Sequence, residues 1–260
     1  SVSWKSPGVQ TGQLGEYLIF NGYTVALFQA EGSATRPSLF EDGFESGDFR
    51  LWTGTSTSSG GTAMVVDWHP YHGIYHTRFR SNGENKVEYA FIYKTIDEEE
   101  VHAGGYFYIP RGLPLADNGD RFYFLRFRAG GNSLAGAGIR RNNGVDKWIL
   151  YARRGSGWVG PVYSTSPTIK MDSWYYIELH WKRHVSQGLT EMYVDGEKIL
   201  EITGIDTTYF GNAGTVDFGL ISATNVQDRL IIYGDCFSYW TVSSLFEDGF
   251  ESGDFRLWTG

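Results

Sequence analysis

One stretch of seventeen residues occurs twice in this chain. Residues 38–54 read SLFEDGFESGDFRLWTG, and residues 244–260 repeat them without a substitution, whereas the residues just before the two copies, Pro37 and Ser243, differ. Apolar positions separated by Asp-Gly and Ser-Gly turn signals are typical of a strand that opens a β domain. If the first copy opens a domain that closes before residue 243, the second copy has no vacant position there. We therefore expect the second copy to open a next domain, to pair with a neighbouring subunit, or to be a cloning remnant.

The pattern between the two copies predicts one all-β domain over residues 38–243. Aromatic residues make up 17% of the chain and glycine occurs 34 times, a composition that favours short strands and tight turns. About a dozen apolar runs at regular spacing predict a two-sheet antiparallel sandwich. No segment keeps a 3.6-residue period, so we expect no long helix.

Residues 1–37 do not resemble residues 207–243, as a plain tandem array would require. They contain two strand-like pieces around Asn21-Gly22, a strong hairpin signal. We expect these residues to form an N-terminal β arm or linker. Residues 244–260 then form the third segment of the chain, the repeated strand.

The strand pattern is clearest in the second half of the domain. Residues 174–181 alternate, which places Tyr175, Ile177, Leu179 and Trp181 on the core face. Asp195-Gly196 predicts a type I′ hairpin turn. Residues 55–62, rich in Ser, Thr and Gly, are expected to form a loop.

Charge, hydropathy and cysteine usage restrict the partners of the chain. The formal net charge of −8 argues against nucleic acid, because phosphate binding needs a cationic surface. No apolar run is long enough to cross a bilayer. The single cysteine, Cys236, cannot form an internal disulfide, and its neighbours indicate a small buried residue.

Three segments resemble the concanavalin A-like (laminin G-like) jelly-roll domains: FEDGFESGDFRLWTG, WYYIELHWKRHVSQGLTEMYVDGEKILEITGIDT and VDFGLISATNVQDRLIIYGDCFSYW. The resemblance covers residues 38–241. It implies a jelly roll of two curved antiparallel sheets, with the opening strand paired beside the last one. It also implies that one sheet has a concave face of the kind often used for glycans.

The catalytic motifs of enzymes with this fold are incomplete here. Glycanases place carboxylates along one strand as Glu-x-Asp-x-x-Glu, but residues 95–100 begin with Thr95 and indicate an acidic turn. Of the strand motifs of alginate lyases, only Tyr93-Lys94 is present. The sequence therefore predicts that the chain is not an enzyme and has no catalytic residue.

Two groups of residues suggest metals. His69, His72 and His76 have a short spacing, but without a fourth ligand they are interpreted as turn histidines rather than a zinc site. Carbohydrate-binding jelly rolls that open with a similar GFE phrase carry a structural Ca²⁺, and the resemblance implies one here. Its ligands would be Glu45, Asp42 and Asp235.

Aromatic and arginine side chains are the candidates for glycan binding. Sugars stack on exposed rings, and arginine guanidinium groups bind hydroxyls or uronic acids. The region of residues 136–164 combines both types. The predicted residues are Trp148, Trp158, Tyr151, Tyr163, Arg140 and Arg153.

The sequence carries three functional hypotheses. The first is a non-catalytic building block of an extracellular filament or surface layer, with copies of the chain assembling head to tail by β-strand addition. Its contact residues would be Phe246, Phe250, Phe255 and the Trp258-Thr259 pair. The alternatives are a carbohydrate-binding module with a polysaccharide partner, and a polysaccharide lyase or glycoside hydrolase. All three place the chain outside the cell or at its surface, without membrane insertion.

Overall fold

The computed structural model of the chain describes two strands at residues 17–20 and 23–26, and residues 38–241 except 85, 225 and 227. The chain divides into two units, Ser1–Arg36 and Pro37–Gly260. In the first unit, β1 (Tyr17–Phe20) and β2 (Tyr23–Ala26) pair antiparallel with Phe20 opposite Tyr23. This pairing agrees with the hairpin expected around Asn21-Gly22. The role of residues 1–37 as an arm stays a prediction.

The second unit is a sandwich of two antiparallel sheets. One sheet has the strand order β12-β11-β10-β9-β16-β7-β4, the other the order β15-β14-β13-β8-β17-β6-β5, and β3 pairs with β17 beside this second path. The described part of the unit contains strands and no helix, which confirms the predicted all-β jelly-roll architecture. The strands are β3 (Phe40–Asp42), β4 (Gly54–Thr57), β5 (Thr62–Val66), β6 (His76–Arg80), β7 (Glu88–Glu98), β8 (Glu100–Arg111), β9 (Arg121–Ala129), β10 (Asn132–Asn142), β11 (Val145–Arg154), β12 (Gly157–Ser164), β13 (Trp174–Lys182), β14 (Gly188–Val194), β15 (Glu197–Ile205), β16 (Ala213–Thr224) and β17 (Ile231–Trp240).

The first copy of the repeat belongs to the core of the sandwich. Its strand β3 pairs with β17, the last strand, as the resemblance implies, with Asp42 opposite Phe237. The rings of Phe44 and Trp52 are buried. The Asp42 carboxylate accepts hydrogen bonds from the Phe44 amide at 2.7 Å and from Trp52 Nε1 at 2.8 Å. The second copy lies outside the described residues, so head-to-tail assembly through Phe246, Phe250, Phe255 and Trp258 stays a prediction.

A cluster of aromatic rings around Phe218 fills the space between the sheets. Phe218 on β16 is fully buried, and its ring lies within 6.1 Å, centroid to centroid, of several others. These are the rings of Phe44, Trp52, Phe79, Phe107 and Phe237. The core face predicted for β13 is confirmed, since Tyr175, Ile177, Leu179 and Trp181 all belong to this core.

Two other sequence predictions have different outcomes. The turn between β14 and β15 is confirmed, because Asp195 and Gly196 both have positive φ, at 53° and 84°, as a type I′ turn requires. The loop predicted over residues 55–62 is wrong in part, because Gly54–Thr57 forms β4 and pairs with β7. This short edge strand lacks apolar alternation, so its backbone pairing left no sequence signal.

Two glycines make room for the central ring. A Cβ atom added at Gly105 would lie 2.7 Å from Phe218 Cε2, and one at Gly234 would lie 2.5 Å from Phe218 Cε1. We expect Gly105→Ala and Gly234→Ala each to lower the free energy of unfolding by about 1–3 kcal/mol, the usual cost of overpacking a core. Gly131→Ala is the matched control, because its Cβ would meet no atom within 4 Å. Denaturant unfolding of the three variants is the measurement, and equal losses at all three positions would contradict the prediction.

Candidate functional site

A groove of about 530 Å³ runs over the face of the seven-stranded sheet that points away from the core. It lies on strands β9 to β12 and on the end of β16. Its volume is within the range of small-ligand sites in proteins, roughly 300–1,000 Å³. We call it the arginine groove and define it by six of its lining residues: Arg121, Tyr123, Arg126, Arg140, Tyr151 and Trp158.

Strand alternation and two glycines build the floor of the arginine groove. In β9, Phe122 and Phe124 enter the core, so Arg121 and Tyr123 point the other way. On β11, Tyr151 alternates in the same manner. The opposing positions on β10 are Gly136 and Gly138, and a Cβ atom at Gly136 would lie 2.5 Å from the Tyr151 ring. Because these positions are glycines, the tyrosine rings can lie against the sheet.

A buried carboxylate fixes two arginines at the side of the groove. Asp217 on β16 is fully buried, and its Oδ2 accepts a hydrogen bond from Arg126 Nε at 2.7 Å. Arg128 binds the same carboxylate through Nε and Nη2, at 2.8 and 2.7 Å. Arg126 also lies over the Phe91 ring, 5.3 Å from its centroid. This bidentate arrangement holds both guanidinium groups in place.

The groove carries positive charge in an acidic protein. Among the described residues, neither Arg121 nor Arg140 has a carboxylate partner. The residues that line the groove include no aspartate or glutamate, whereas the chain as a whole has a net charge of −8. An excess of guanidinium groups over carboxylates in a groove attracts an anionic ligand.

The two tyrosines of the groove keep their protons at neutral pH. Burial raises the pKa of Tyr123, although the charges of Arg121 and Arg140 act in the opposite direction. Burial also raises the pKa of Tyr151, with a contribution from Tyr123. Both hydroxyls are therefore protonated and able to donate a hydrogen bond.

The structure brings together some of the glycan-binding residues predicted from the sequence. Tyr151, Arg140 and Trp158 line the arginine groove. The Trp158 side chain is 51% exposed, and the Arg153 guanidinium lies 3.6 Å from the centroid of its ring. Tyr163 lies on the same strand as Trp158, with Lys147 Nζ 5.9 Å from its ring centroid.

Trp148 occupies a different place from the one predicted. Its side chain is fully buried in the core, and its Nε1 donates a hydrogen bond to the Pro167 carbonyl at 2.7 Å. It therefore offers no ring face to a sugar. The residues that sequence reasoning missed are Arg121, Tyr123, Arg126 and Arg128 on β9, whose alternation with the core phenylalanines was the available signal.

The three carboxylates proposed as calcium ligands receive N–H donors. Asp235 Oδ2 accepts from the amides of Tyr71 and His72, both at 3.0 Å, and Glu45 Oε1 accepts from the Ile74 amide at 3.0 Å. Asp42 accepts hydrogen bonds from the Phe44 amide and from Trp52 Nε1. Calcium requires six to eight oxygen ligands, and amide hydrogens aimed at these oxygens do not fit that requirement. Glu45 and Asp235 hold the 67–75 loop, and the calcium ion stays a prediction.

The other sequence patterns have structural roles in the described part of the chain. His69 and His72 lie exposed in the 67–75 loop, and His76 is buried on β6. In that part of the chain, no three His, Cys, Asp or Glu side chains form a group that could hold a metal. The acidic residues 97–100 connect β7, which ends at Glu98, to β8, which begins at Glu100.

The fold is similar to those of solved carbohydrate-related proteins. An endo-β-1,4-glucuronan lyase from the fungus Trichoderma reesei matches with a TM-score of 0.61 and 16% identity over 79% of this chain and 96% of that chain. The cellulose-induced protein Cip1 matches with a TM-score of 0.53 and 16% identity, over 77% of this chain and 96% of that chain. A carbohydrate esterase from the Shiga toxin-encoding bacteriophage phi24B matches with a TM-score of 0.52 and 13% identity, over 79% and 98%. No protein-family model and no curated protein matches the chain.

These similarities establish the sandwich fold and correct one prediction. The expectation that the chain is not an enzyme is wrong as a conclusion, because a polysaccharide lyase has the same fold. The missing strand motifs therefore do not exclude catalysis. The described residues contain no helix that is long and apolar enough to cross a membrane.

The hydrogen bonds of Asp235 give a testable stability effect. Its Oδ1 accepts from the Cys236 amide, in addition to the two amides at Oδ2. In Asp235→Asn an NH₂ group must face at least one of these N–H donors. We therefore expect the free energy of unfolding to fall by about 1–3 kcal/mol. The exposed neighbouring Asp228→Asn is the control. Thermal unfolding with CaCl₂ and then with a chelator tests the calcium ion, because a ligand of the folded state raises the midpoint.

Proposed function

We propose that this chain binds a polysaccharide bearing carboxylate groups, a polyuronate, in the arginine groove. The observation that carries the proposal is the charge of the groove. Arg121 and Arg140 have no carboxylate partner among the described residues, and no acidic side chain lines the groove. Guanidinium groups bind carboxylates bidentately, and a sugar ring stacks on an exposed aromatic face such as that of Trp158.

The comparisons support the carbohydrate hypotheses better than the filament hypothesis. The similar structures include a glucuronan lyase, a cellulose-induced protein and a carbohydrate esterase. A polysaccharide partner is in keeping with an extracellular location, which belongs to the same proposal.

Binding of oligoglucuronate tests the charge of the groove. We expect Arg121→Ala and Arg140→Ala each to weaken binding about tenfold, because each removes a charge-assisted hydrogen bond worth roughly 1.5–3 kcal/mol. Isothermal titration calorimetry at two salt concentrations is the measurement, since screening weakens charge interactions. Arg50→Ala is the control, because the Arg50 side chain is 69% exposed and lies outside the groove.

Two outcomes would contradict the binding proposal. One is equal affinity of the wild-type chain for oligoglucuronate and for the same oligosaccharide with its carboxyl groups reduced to alcohols. The other is equal loss of affinity in Arg50→Ala and in Arg140→Ala.

The groove supports a second candidate function, eliminative cleavage of the bound polyuronate. In such a reaction the proton on the carbon next to the carboxylate passes to a base, the C–O bond to the leaving oxygen breaks, and a C=C bond forms at the new end. No carboxylate or imidazole of the described residues lines the groove, so a solvent water molecule takes this proton. Arg121 and Arg140 can neutralise the carboxylate, and the protonated hydroxyls of Tyr123 and Tyr151 can donate to the leaving oxygen. Because burial raises the pKa of both tyrosines, their hydroxyls stay protonated and can donate a proton but cannot accept one.

Product analysis tests the second candidate. We expect the wild-type chain to form unsaturated oligosaccharides from polyglucuronate. The ultraviolet absorbance of their C=C bonds measures the rate. Tyr123→Phe should lower the rate at least about hundredfold while affinity changes little, since general acid catalysis contributes 10²–10⁴-fold. Tyr209→Phe, an exposed tyrosine outside the groove, is the control. No unsaturated product from any polyuronate would contradict cleavage and leave the binding proposal intact.

A further inference from the structure

Aromatic rings also cover part of the opposite surface, the outward face of the eight-stranded sheet. Trp174 on β13 pairs with Tyr108 on β8, and Tyr108 pairs with Tyr233 on β17. The 67–75 loop lies over this row. The Tyr71 ring stacks on the Tyr106 ring with centroids 3.5 Å apart and an interplanar angle of 16°. We call this surface the aromatic platform: Trp68, Tyr71, Tyr106, Tyr108, Trp174 and Tyr233.

Two rings of the platform remain open to solvent. Trp68 is 62% exposed and Tyr71 is 46% exposed. Tyr106 covers one face of Tyr71, and Trp174 meets it edge-on with centroids 5.6 Å apart. The ring face of Tyr71 that is turned away from Tyr106 is therefore the one available to a ligand.

Backbone hydrogen bonds hold these rings in place. Asp235 binds the amides of Tyr71 and His72, and Glu45 binds the amides of Ile74 and Tyr75 on the other side of the loop. His69, between the two exposed rings, has φ of 68°, a costly conformation for a residue other than glycine. A fixed aromatic surface loses little conformational entropy when a ligand binds.

The charged groups around the platform indicate the chemistry of its ligand. The exposed carboxylates of Asp67 and Asp172 lie beside the rings, and Asp172 accepts a hydrogen bond from the Tyr108 hydroxyl at 3.1 Å. Arg78, across from Tyr233, directs its Nη2 toward Met64 Sδ. Carboxylates accept hydrogen bonds from sugar hydroxyls and repel the carboxylates of a polyuronate. The surroundings of the platform thus include two carboxylates and one guanidinium group, whereas no carboxylate in the described part of the chain lines the arginine groove.

We propose that the aromatic platform is a second saccharide site, which binds an uncharged sugar chain by stacking on Trp68 and Tyr71. The rings contact the apolar C–H face of the sugar, and the carboxylates of Asp67 and Asp172 accept hydrogen bonds from its hydroxyls. The site is separate from the arginine groove, on the other sheet, and its ligand carries no carboxylate.

Titration of the wild-type chain with cellohexaose, mannohexaose and xylohexaose tests the site. We expect at least one of them to bind, and Trp68→Ala and Tyr71→Ala each to weaken that binding about tenfold, as truncation of a central aromatic residue does in other binding sites. Tyr209→Ala, which removes a ring that is 64% exposed elsewhere on the surface, should bind as the wild type does. Thermal unfolding of each variant checks that the fold is kept.

The experiment tests the two sites independently. Arg140→Ala should weaken oligoglucuronate binding about tenfold and leave uncharged hexasaccharide binding unchanged, and Trp68→Ala should do the reverse. The platform proposal is overturned if none of the three uncharged hexasaccharides binds at millimolar concentration. It is also overturned if they bind equally to the wild-type chain and to the Trp68→Ala, Tyr71→Ala double variant.

Discussion

The pairing of Asp217 with two arginines is the interaction on which the arginine groove depends. A carboxylate without solvent exposure is costly unless it is paired, and removing one partner of such a pair costs about 3–5 kcal/mol. Asp217 meets both Arg126 and Arg128, so one negative charge holds two positive ones. The neighbouring residue on β16 is Phe218, the central ring of the core. Strand β16 therefore contributes the central ring of the core on one face and holds Arg126 of the groove on the other.

Glycines have the same physical role on both sides of the seven-stranded sheet. Gly105 and Gly234 leave the space that the Phe218 ring occupies between the sheets, and Gly136 leaves the space for Tyr151 in the groove. In each case a missing Cβ atom lets a large ring lie against the backbone. At these three positions a glycine and an aromatic residue therefore form a matched pair.

The sequence predicted the fold much further than it predicted the site. Alternation identified the core face of β13, and Asp195-Gly196 identified a turn, because both are local signals. The site depends on which strands become neighbours, and alternation does not carry that information. His180 shows the difference: alternation places it on the outward face, yet it is buried because it stacks on His102 at 3.7 Å and binds Glu191 at 2.7 Å. Trp148, a predicted sugar platform, lies in the core on the same face of β11 as Leu150 and Ala152.

The first copy of the repeat defines what the second copy needs. Phe44 and Trp52 are buried against Phe218 and Phe237, and β3 takes its hydrogen bonds from β17. The Asp42 bonds to Phe44 and Trp52 lie within the copy, so an identical sequence can form them anywhere. The strand pairing and the aromatic cavity must come from a partner structure. Within this domain the first copy already fills both, so the second copy could use them only by displacing it, at no gain in contacts. In this domain the second copy would therefore exchange one set of contacts for an identical set and gain no free energy.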